Sequence, residues 1–541
     1  MTGRKTVLLC GVVALLLCSA SCSKDDGLRN TLSQQTRDNG CKEEMLVLGK
    51  EIVDPYCLTV MQKAFETMNQ AKAPISKITP NHKYVRILPE NDEELNLLQR
   101  DTNLLLWSYP LNYEIEVAGT CYHDPSIPAD KPTWQYCVVP IEYEFPAGLN
   151  IEEIYEVYIP ESGKGKGFYD ELEDKALEIA GVERATKAAE WTPSATLRTY
   201  DDIVGGHVPL EGIVVRARYG TKIAKGTTNS SGYCRLDKSF KQQVNYSFKW
   251  ERAYWDIRNG VIGQAFYNGP KLGTAWDLSI NRTSGKSILF ATVHRAAMKF
   301  YYGNCLGVHR PILADSKTKI AVKDENASWG SGCCWGTWSH QGVIPDIIIA
   351  NPNFVPPSFV FNITIHELAH QSHLLFMNLG TYIQLGKEIH ESWAEAVAHI
   401  LTNHHYNHDL KSYGERCRLF DGSRSLQEWH PKTLTGGKTS CYTPIFYDLI
   451  DTMNQRHGGT FGCSQYNYNS ASYLNEDLLH LYNEDPITGY SLKFIQDNIL
   501  QTSYGLSSFY SSIKRNKING ITDSIIDVYI SPYWGQDYKR P

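Results

Sequence analysis

The spacing of hydrophobic and polar positions changes along the chain and separates a mixed amino-terminal region from a strand-like middle and a helical end. Alternating apolar positions rich in β-branched and aromatic residues predict strands at 84–88, 113–117 and 136–143. Apolar positions three and four apart predict a helix over 43–69. The charged stretch 151–187 favours an exposed helix or a linker over a core element. This amino-terminal region is therefore predicted to be α+β.

Short β runs separated by glycine follow between residues 202 and 277 and predict a small β-sandwich. The segment PLEGIVVRARYGTKIAKGTTNSSGYCRL, residues 209–236, resembles the carboxypeptidase-regulatory-like domain. That resemblance implies a transthyretin-like sandwich with an accessory or spacer role.

Helical periodicity returns after residue 284, with an amphipathic helix predicted over 288–302 and a strand over 346–350. The predicted fold class is α+β multidomain, ending in a mostly helical domain. The predicted divisions are a signal peptide at 1–22, an α+β domain at 23–200, the β-sandwich at 201–283 and the helical domain at 284–541.

The first residues predict export, since Arg4 and Lys5 precede an apolar run at 7–17 that is too short to span a bilayer. The residues ending in Ser21-Cys22 resemble a bacterial lipobox, in which Cys22 becomes the lipidated amino terminus. The following Ser-Lys-Asp-Asp resembles the surface-export tag of Bacteroidota lipoproteins, which implies a lipid anchor in the outer membrane and an outward-facing position. The alternative is a cleaved secretory peptide that leaves a soluble periplasmic protein.

Composition narrows the function classes. With 42% hydrophobic residues, 21% charged residues and a formal net charge of −6, the chain is globular, and its charge argues against nucleic acid as a partner. Among fourteen cysteines no C-x-x-C occurs, so zinc ligands must come from other residues. In an oxidising compartment, local disulfides are expected between Cys121 and Cys137 and between Cys41 and Cys57.

The run His366-Glu367-Leu368-Ala369-His370 carries the clearest chemistry. Two imidazoles four residues apart on a helix face the same side and can bind one metal ion. Glu367 lies beside them, where a carboxylate can take a proton from water as a general base. Zinc needs a third protein ligand, and the metzincin pattern is disfavoured because His373 and Phe376 stand where it has Gly and His.

A second helix is predicted from residue 388 and carries Glu391 and Glu395 on one face. Glu391 can bind the metal while Glu395 orients one of the histidines from behind. The two motifs together resemble the gluzincins, the clan of thermolysin and the aminopeptidase/leukotriene-hydrolase family. This resemblance implies His366, His370 and Glu391 as Zn²⁺ ligands and Glu367 as the catalytic base.

Other candidates are less specific. Gluzincins usually stabilise the oxyanion with a Tyr or His from a later helix, and Tyr447, with Tyr442 as the alternative, lies in the predicted helix 443–454. The Trp-rich segment 329–338 and the strand that follows it are candidates for pairing with a peptide substrate or for stacking on sugars, with plain packing as the alternative.

The sequence as a whole resembles multidomain metallopeptidase lipoproteins of gut-type Bacteroidota, and it predicts a zinc peptidase that hydrolyses proteins or glycoproteins at the bacterial surface. Two alternatives stay open. One is a surface glycan- or glycoprotein-binding lipoprotein with a vestigial zinc site. The other is a mucin-type glycopeptidase, whose cleavage depends on glycans that flank the bond.

Overall fold

The computed structural model divides the chain into two compact units. The strand-rich unit comprises residues 1–295 and 313–357, and the helical unit comprises residues 296–312 and 358–541. Helices and several sheets together agree with the predicted α+β class. The residues that the structure describes are 45–68, 73, 75–101, 103–128, 131–160, 167–183, 190–260, 263–314, 316–323, 332–333, 345–350, 356–377, 379–406, 445–450, 487–518 and 520–530.

All the described strands lie in the strand-rich unit. They are β1 (Val47–Glu51), β2 (His82–Leu88), β3 (Tyr113–Val117), β4 (Gln135–Pro140), β5 (Asn150–Val157), β6 (Ser194–Asp201), β7 (Gly206–Pro209), β8 (Val214–Tyr219), β9 (Lys222–Thr227), β10 (Tyr233–Arg235), β11 (Val244–Lys249), β12 (Trp255–Asn259), β13 (Gly263–Gln264), β14 (Phe266–Leu272), β15 (Trp276–Ile280), β16 (Thr318–Lys323), β17 (Gly332–Cys333) and β18 (Ile347–Ala350).

The described helices divide between the units. The strand-rich unit holds α1 (Leu58–Glu66), α2 (Asp92–Arg100) and α3 (Phe168–Ile179), and α4 (Lys286–Tyr301) has residues in both units. The others are α5 (Pro357–Phe376), α6 (Leu379–Leu385), α7 (Lys387–His405), α8 (Ile445–Ile450), α9 (Leu492–Phe494), which continues as a π-helical turn (Ile495–Leu500), α10 (Leu506–Arg515) and α11 (Asp523–Ile530).

The prediction of one helix over 43–69 was wrong, because β1 precedes the shorter helix α1. Pro55 separates them: it lacks a backbone N–H and disfavours a helical conformation at the preceding residue. That residue, Asp54, is buried and accepts hydrogen bonds from the backbone N–H and the hydroxyl of Thr221. The residue before Pro55 is therefore held by a contact with a residue 167 positions away along the chain.

The charged stretch 151–187 contains a helix, α3, but the expected exposure was wrong, because α3 packs into the core and the stretch also contributes β5. Leu172 and Ala176 of α3 belong to the core. Glu173 is buried too, and its carboxylate accepts hydrogen bonds from the Tyr56 hydroxyl and the Lys222 ammonium, both at 2.6 Å. A buried charge of this kind is tolerated because it is paired.

Two four-stranded sheets follow, one with strand order β10–β6–β15 and β7 paired to β6, the other with order β14–β11–β8–β9. Trp276 of β15 contacts the rings of Tyr246 and Phe248 of β11, with centroids 5.4 and 5.8 Å apart. The two sheets therefore share an aromatic core. Because β6 begins at Ser194, the predicted boundary between residues 200 and 201 lies within a strand.

A five-stranded sheet with order β13–β12–β16–β18–β17 contains the predicted strand 346–350 as β18. Strands β12, β16 and β18 are parallel, and β13 and β17 pair antiparallel at its edges. His294 of α4 lies near the rings of Trp250 and Trp255, and its Nε2–H donates to the Glu211 carbonyl. Burial lowers the pKa of His294 to about 4.

The expected disulfide between Cys121 and Cys137 is not formed, because Cys137 is a free thiol in the buried centre of β4. Burial raises its pKa to about 12, so the thiol stays protonated. Cys57 is also a free cysteine, and its expected partner Cys41 lies outside the described residues.

In the helical unit, α5 is buried along most of its length, with apolar and polar residues alike removed from solvent. A helix that is surrounded on all sides needs partners for its polar side chains. Thr364 donates to the Val360 carbonyl of the same helix, and Asn362 donates to Thr402 of α7. Within the described parts of the chain, no helix has the length and apolar character needed to cross a bilayer.

Candidate metal centre

The two imidazoles of the central motif lie one turn apart on α5 and face each other. The Nε2 atoms of His366 and His370 are 3.1 Å apart, and the ring planes are inclined by 78°. Both residues are buried, with 2% and 6% of their surface exposed. The four-residue spacing therefore directs both Nε2 atoms toward one position, as the sequence predicted.

Helix α7 adds a carboxylate at this position. Oε2 of Glu391 lies 3.3 Å from Nε2 of His366 and 3.3 Å from Nε2 of His370. Gly386 precedes the helix with φ +97° and ψ 151°, a backbone conformation that is essentially restricted to glycine. This turn brings the chain back from α6, so that His370 and Glu391, 21 positions apart, meet.

The three ligand atoms fit a zinc ion. Atoms bound to a tetrahedral zinc at about 2.0–2.1 Å are separated from one another by about 3.3–3.4 Å. The observed triangle of His366, His370 and Glu391 has edges of 3.1, 3.3 and 3.3 Å. Two imidazoles and one carboxylate are also a donor set that zinc accepts while keeping a fourth position open.

Glu395 occupies the position predicted for it, one turn beyond Glu391 on α7. Its Oε2 lies 3.1 Å from Nδ1 of His366, on the side of the ring away from the ligand atom. We assign the proton of this imidazole to Nδ1, which donates to the carboxylate, because Nε2 then has its lone pair free for a metal.

The environment favours the ionised form of Glu391. Burial raises the pKa of its carboxyl, but the neighbouring imidazoles of His370 and His366 outweigh burial and hold that pKa well below its usual range. An ionised carboxylate among imidazoles is the state that a cation requires.

Glu367, the predicted base, is buried on the same helix, between the two histidines in sequence and with 1% of its surface exposed. Tyr447 of α8, the predicted oxyanion donor, is buried and packs against α7. Its hydroxyl lies 3.4 Å from the Glu395 carbonyl and 3.5 Å from the Ala396 carbonyl, and its ring meets His399 edge-on.

A cluster of aromatic rings lies behind the ligands. His373 of α5 is fully buried and contacts the rings of Phe376, Tyr382, His390 and Trp393. Burial lowers the pKa of His373 well below its ordinary value and lowers that of His390 to about 3, so both rings are neutral. Sequence reasoning missed Tyr382, because no fixed spacing connects it to the ligands.

Among the described residues, His366, His370 and Glu391 form the one group of side chains arranged to hold a metal ion. Cys22, Tyr442 and most of the Trp-rich segment lie outside the described residues. Comparison of the chain with known protein families and with curated proteins finds no match.

Proposed function

We propose that the chain is a zinc-dependent metallopeptidase of the gluzincin type. The observation that carries this proposal is the triangle of His366, His370 and Glu391, with Glu395 hydrogen-bonded to the rear nitrogen of His366. The arrangement brings two separate sequence motifs together at one buried point. A chance HExxH match would not be expected to lie beside the second motif.

When bound, zinc supplies Lewis acidity, which lowers the pKa of water to near neutrality and polarises a peptide carbonyl. Glu367 takes a proton from the attacking water and returns it to the amine that leaves. Glu395 holds His366 in the tautomer that presents Nε2. Burial of all these groups strengthens their electrostatic interactions.

Tyr447 is the proposed donor to the oxyanion that forms from the carbonyl. Its hydroxyl contacts carbonyl oxygens of α7, so this role requires it to exchange a backbone acceptor for the substrate. The role therefore stays a prediction.

The proposed substrates are proteins or glycoproteins, and the proposed location is the bacterial outer membrane, reached through a lipid on Cys22. Trp276 of one four-stranded sheet contacts aromatic rings of the other. This packing supports an accessory sandwich of the carboxypeptidase-regulatory-like kind within the strand-rich unit.

The proposal is tested by metal content and hydrolysis measured on the same purified full chain. We expect about one zinc per wild-type chain, largely lost in Glu391→Ala and only weakened in Glu395→Ala, which is the matched control on the same helix. Glu367→Gln should keep its zinc and lose hydrolysis of an unfolded protein substrate by about 10²–10⁴-fold, the range for a general acid–base group. Absence of zinc in the wild type would exclude the proposal.

A loaded wild-type chain that hydrolyses neither bare nor glycosylated peptides would favour the glycoprotein-binding alternative. Cleavage of glycosylated peptides alone would identify a glycopeptidase.

A further inference from the structure

The two histidines of the proposed zinc site each have an oxygen behind the ring. For His366 this is the carboxylate of Glu395, 3.1 Å from Nδ1. For His370 it is the hydroxyl of Tyr382, 3.5 Å from Nδ1, a separation longer than the roughly 2.7–3.2 Å of most hydrogen bonds. The second oxygen comes from α6, the short helix between the two ligand helices.

Three contacts hold Tyr382 in this place. The ring of His390 stacks on it, with centroids 3.7 Å apart and planes inclined by 18°. Nε2–H of His390 donates to the Tyr382 carbonyl at 2.6 Å. The ring of His373 meets Tyr382 edge-on, at 5.2 Å and 78°. Both the ring and the backbone of Tyr382 are therefore fixed by buried neighbours.

The same contacts connect Tyr382 to the ligand set. His390 precedes Glu391 on α7, and His373 follows His370 by less than one turn on α5. A tyrosine that contacts residues beside two of the three ligands cannot move without disturbing them.

We propose that Tyr382 is the positioning residue for His370. Its hydroxyl oxygen accepts a hydrogen bond from Nδ1–H of His370, so that the lone pair of Nε2 points toward the metal. This inference rests on the proposed zinc site. The two histidines then have unequal support, one from a charged acceptor and the other from a neutral one. A neutral phenol raises the basicity of its imidazole less than a carboxylate does.

The position of the hydroxyl separates this role from that of an oxyanion donor. It lies on the Nδ1 side of His370, whereas Nε2 points toward His366 and Glu391. The imidazole ring thus stands between the phenol and the metal position.

The test compares Tyr382→Phe with wild type and with Tyr490→Phe in the full chain. Tyr490 is the matched control, because its hydroxyl also makes a long bond, 3.3 Å to the Asn516 carbonyl, which involves none of the ligands. The zinc dissociation constant is measured by competition with a chelator, the melting temperature on the metal-free protein, and the visible absorption spectrum on the Co²⁺-loaded protein.

We expect the dissociation constant of Tyr382→Phe to rise about 10-fold, at the low end of the range for groups that support a metal ligand. Its Co²⁺ bands should shift, while its metal-free melting temperature changes no more than that of Tyr490→Phe. The Tyr490 variant should keep the wild-type affinity and spectrum.

Two results would overturn the inference while leaving the zinc site in place. One is an unchanged dissociation constant for Tyr382→Phe. The other is weaker binding with an unchanged Co²⁺ spectrum and an equal loss of metal-free stability, which would assign the residue to packing alone. A wild-type chain that binds neither metal would instead remove the proposed function, and this inference with it.

Discussion

Buried polar side chains of this protein form hydrogen bonds with specific partners. Glu173 is paired with Lys222, Asp54 with Thr221, and His294 with the carbonyl of Glu211. For His294 burial favours the neutral ring, and the hydrogen bond to the Glu211 carbonyl offsets burial only in part, so protonation of the ring opposes folding.

Acid should therefore weaken the fold through His294. Its pKa is about 4 in the folded chain and about 6.5 in the unfolded one, so the unfolded state binds more protons between these values. The stability that neutral His294 contributes is complete above pH 6.5 and is lost as the pH falls toward 4. The free energy of unfolding in urea should drop by about 3 kcal/mol more in wild type than in His294→Gln between pH 7.5 and 4.

The control, His294→Gln, keeps a donor for the Glu211 carbonyl but does not titrate. Equal losses in the two proteins would show that His294 does not contribute to the acid response.

At the level of helices and strands, the metal centre depends on how α7 begins. Its proposed ligand Glu391 lies five residues, about 1.4 turns, after Gly386, whose φ of +97° and ψ of 151° would strain any residue that carries a side chain. The connection through α6 is short, so the direction in which α7 returns to α5 depends on the backbone conformation of Gly386.

Gly386→Ala should destabilise the chain by about 1–3 kcal/mol, the cost of holding a non-glycine residue in this region of backbone space. Its zinc affinity should fall as well, because Glu391 moves with the helix. Chemical denaturation and chelator titration measure the two effects.

Gly167→Ala is the matched control, since Gly167 also precedes a helix but has φ −113° and open space around its Cα. A loss of stability no larger in Gly386→Ala than in this control would contradict the proposed strain.

Across the whole molecule, a buried ion network joins elements far apart in the chain. Arg258 of β12 is fully buried and bonds to Asp92 of α2 at 2.7 Å and to Asp256 at 3.2 Å. Lys319 of β16 lies 3.5 Å from Asp92. Parallel strands and an amino-terminal helix are thus held together within the strand-rich unit.

Removal of the central charge should be costly, because the buried carboxylates of Asp92 and Asp256 lose the guanidinium that they share. Arg258→Ala is expected to lose about 3–5 kcal/mol of unfolding free energy. Arg198→Ala, which breaks an exposed pair with Asp277, should lose at most about 1 kcal/mol. Urea denaturation of both variants gives the comparison, and similar losses would argue against a structural role for the network.

The sequence by itself determined the elements whose signal is local. Helical geometry stacks residues four apart, so the sequence alone paired His366 with His370 and Glu391 with Glu395. That these two pairs meet was implied only by the resemblance to the gluzincins. Strands such as β3 and β18 were predicted from short strand-like runs, which are also a local signal.

Only the tertiary structure decided features that depend on distant partners. The split of the predicted helix 43–69, the burial of charged α3 and the free thiol of Cys137 each follow from neighbours that lie far away along the chain. Tyr382 belongs to the same class, since stacking on His390 and the fold of α6 bring its hydroxyl to His370. Such contacts leave no periodic signal, because their free energy depends on burial that exists only once the chain has folded.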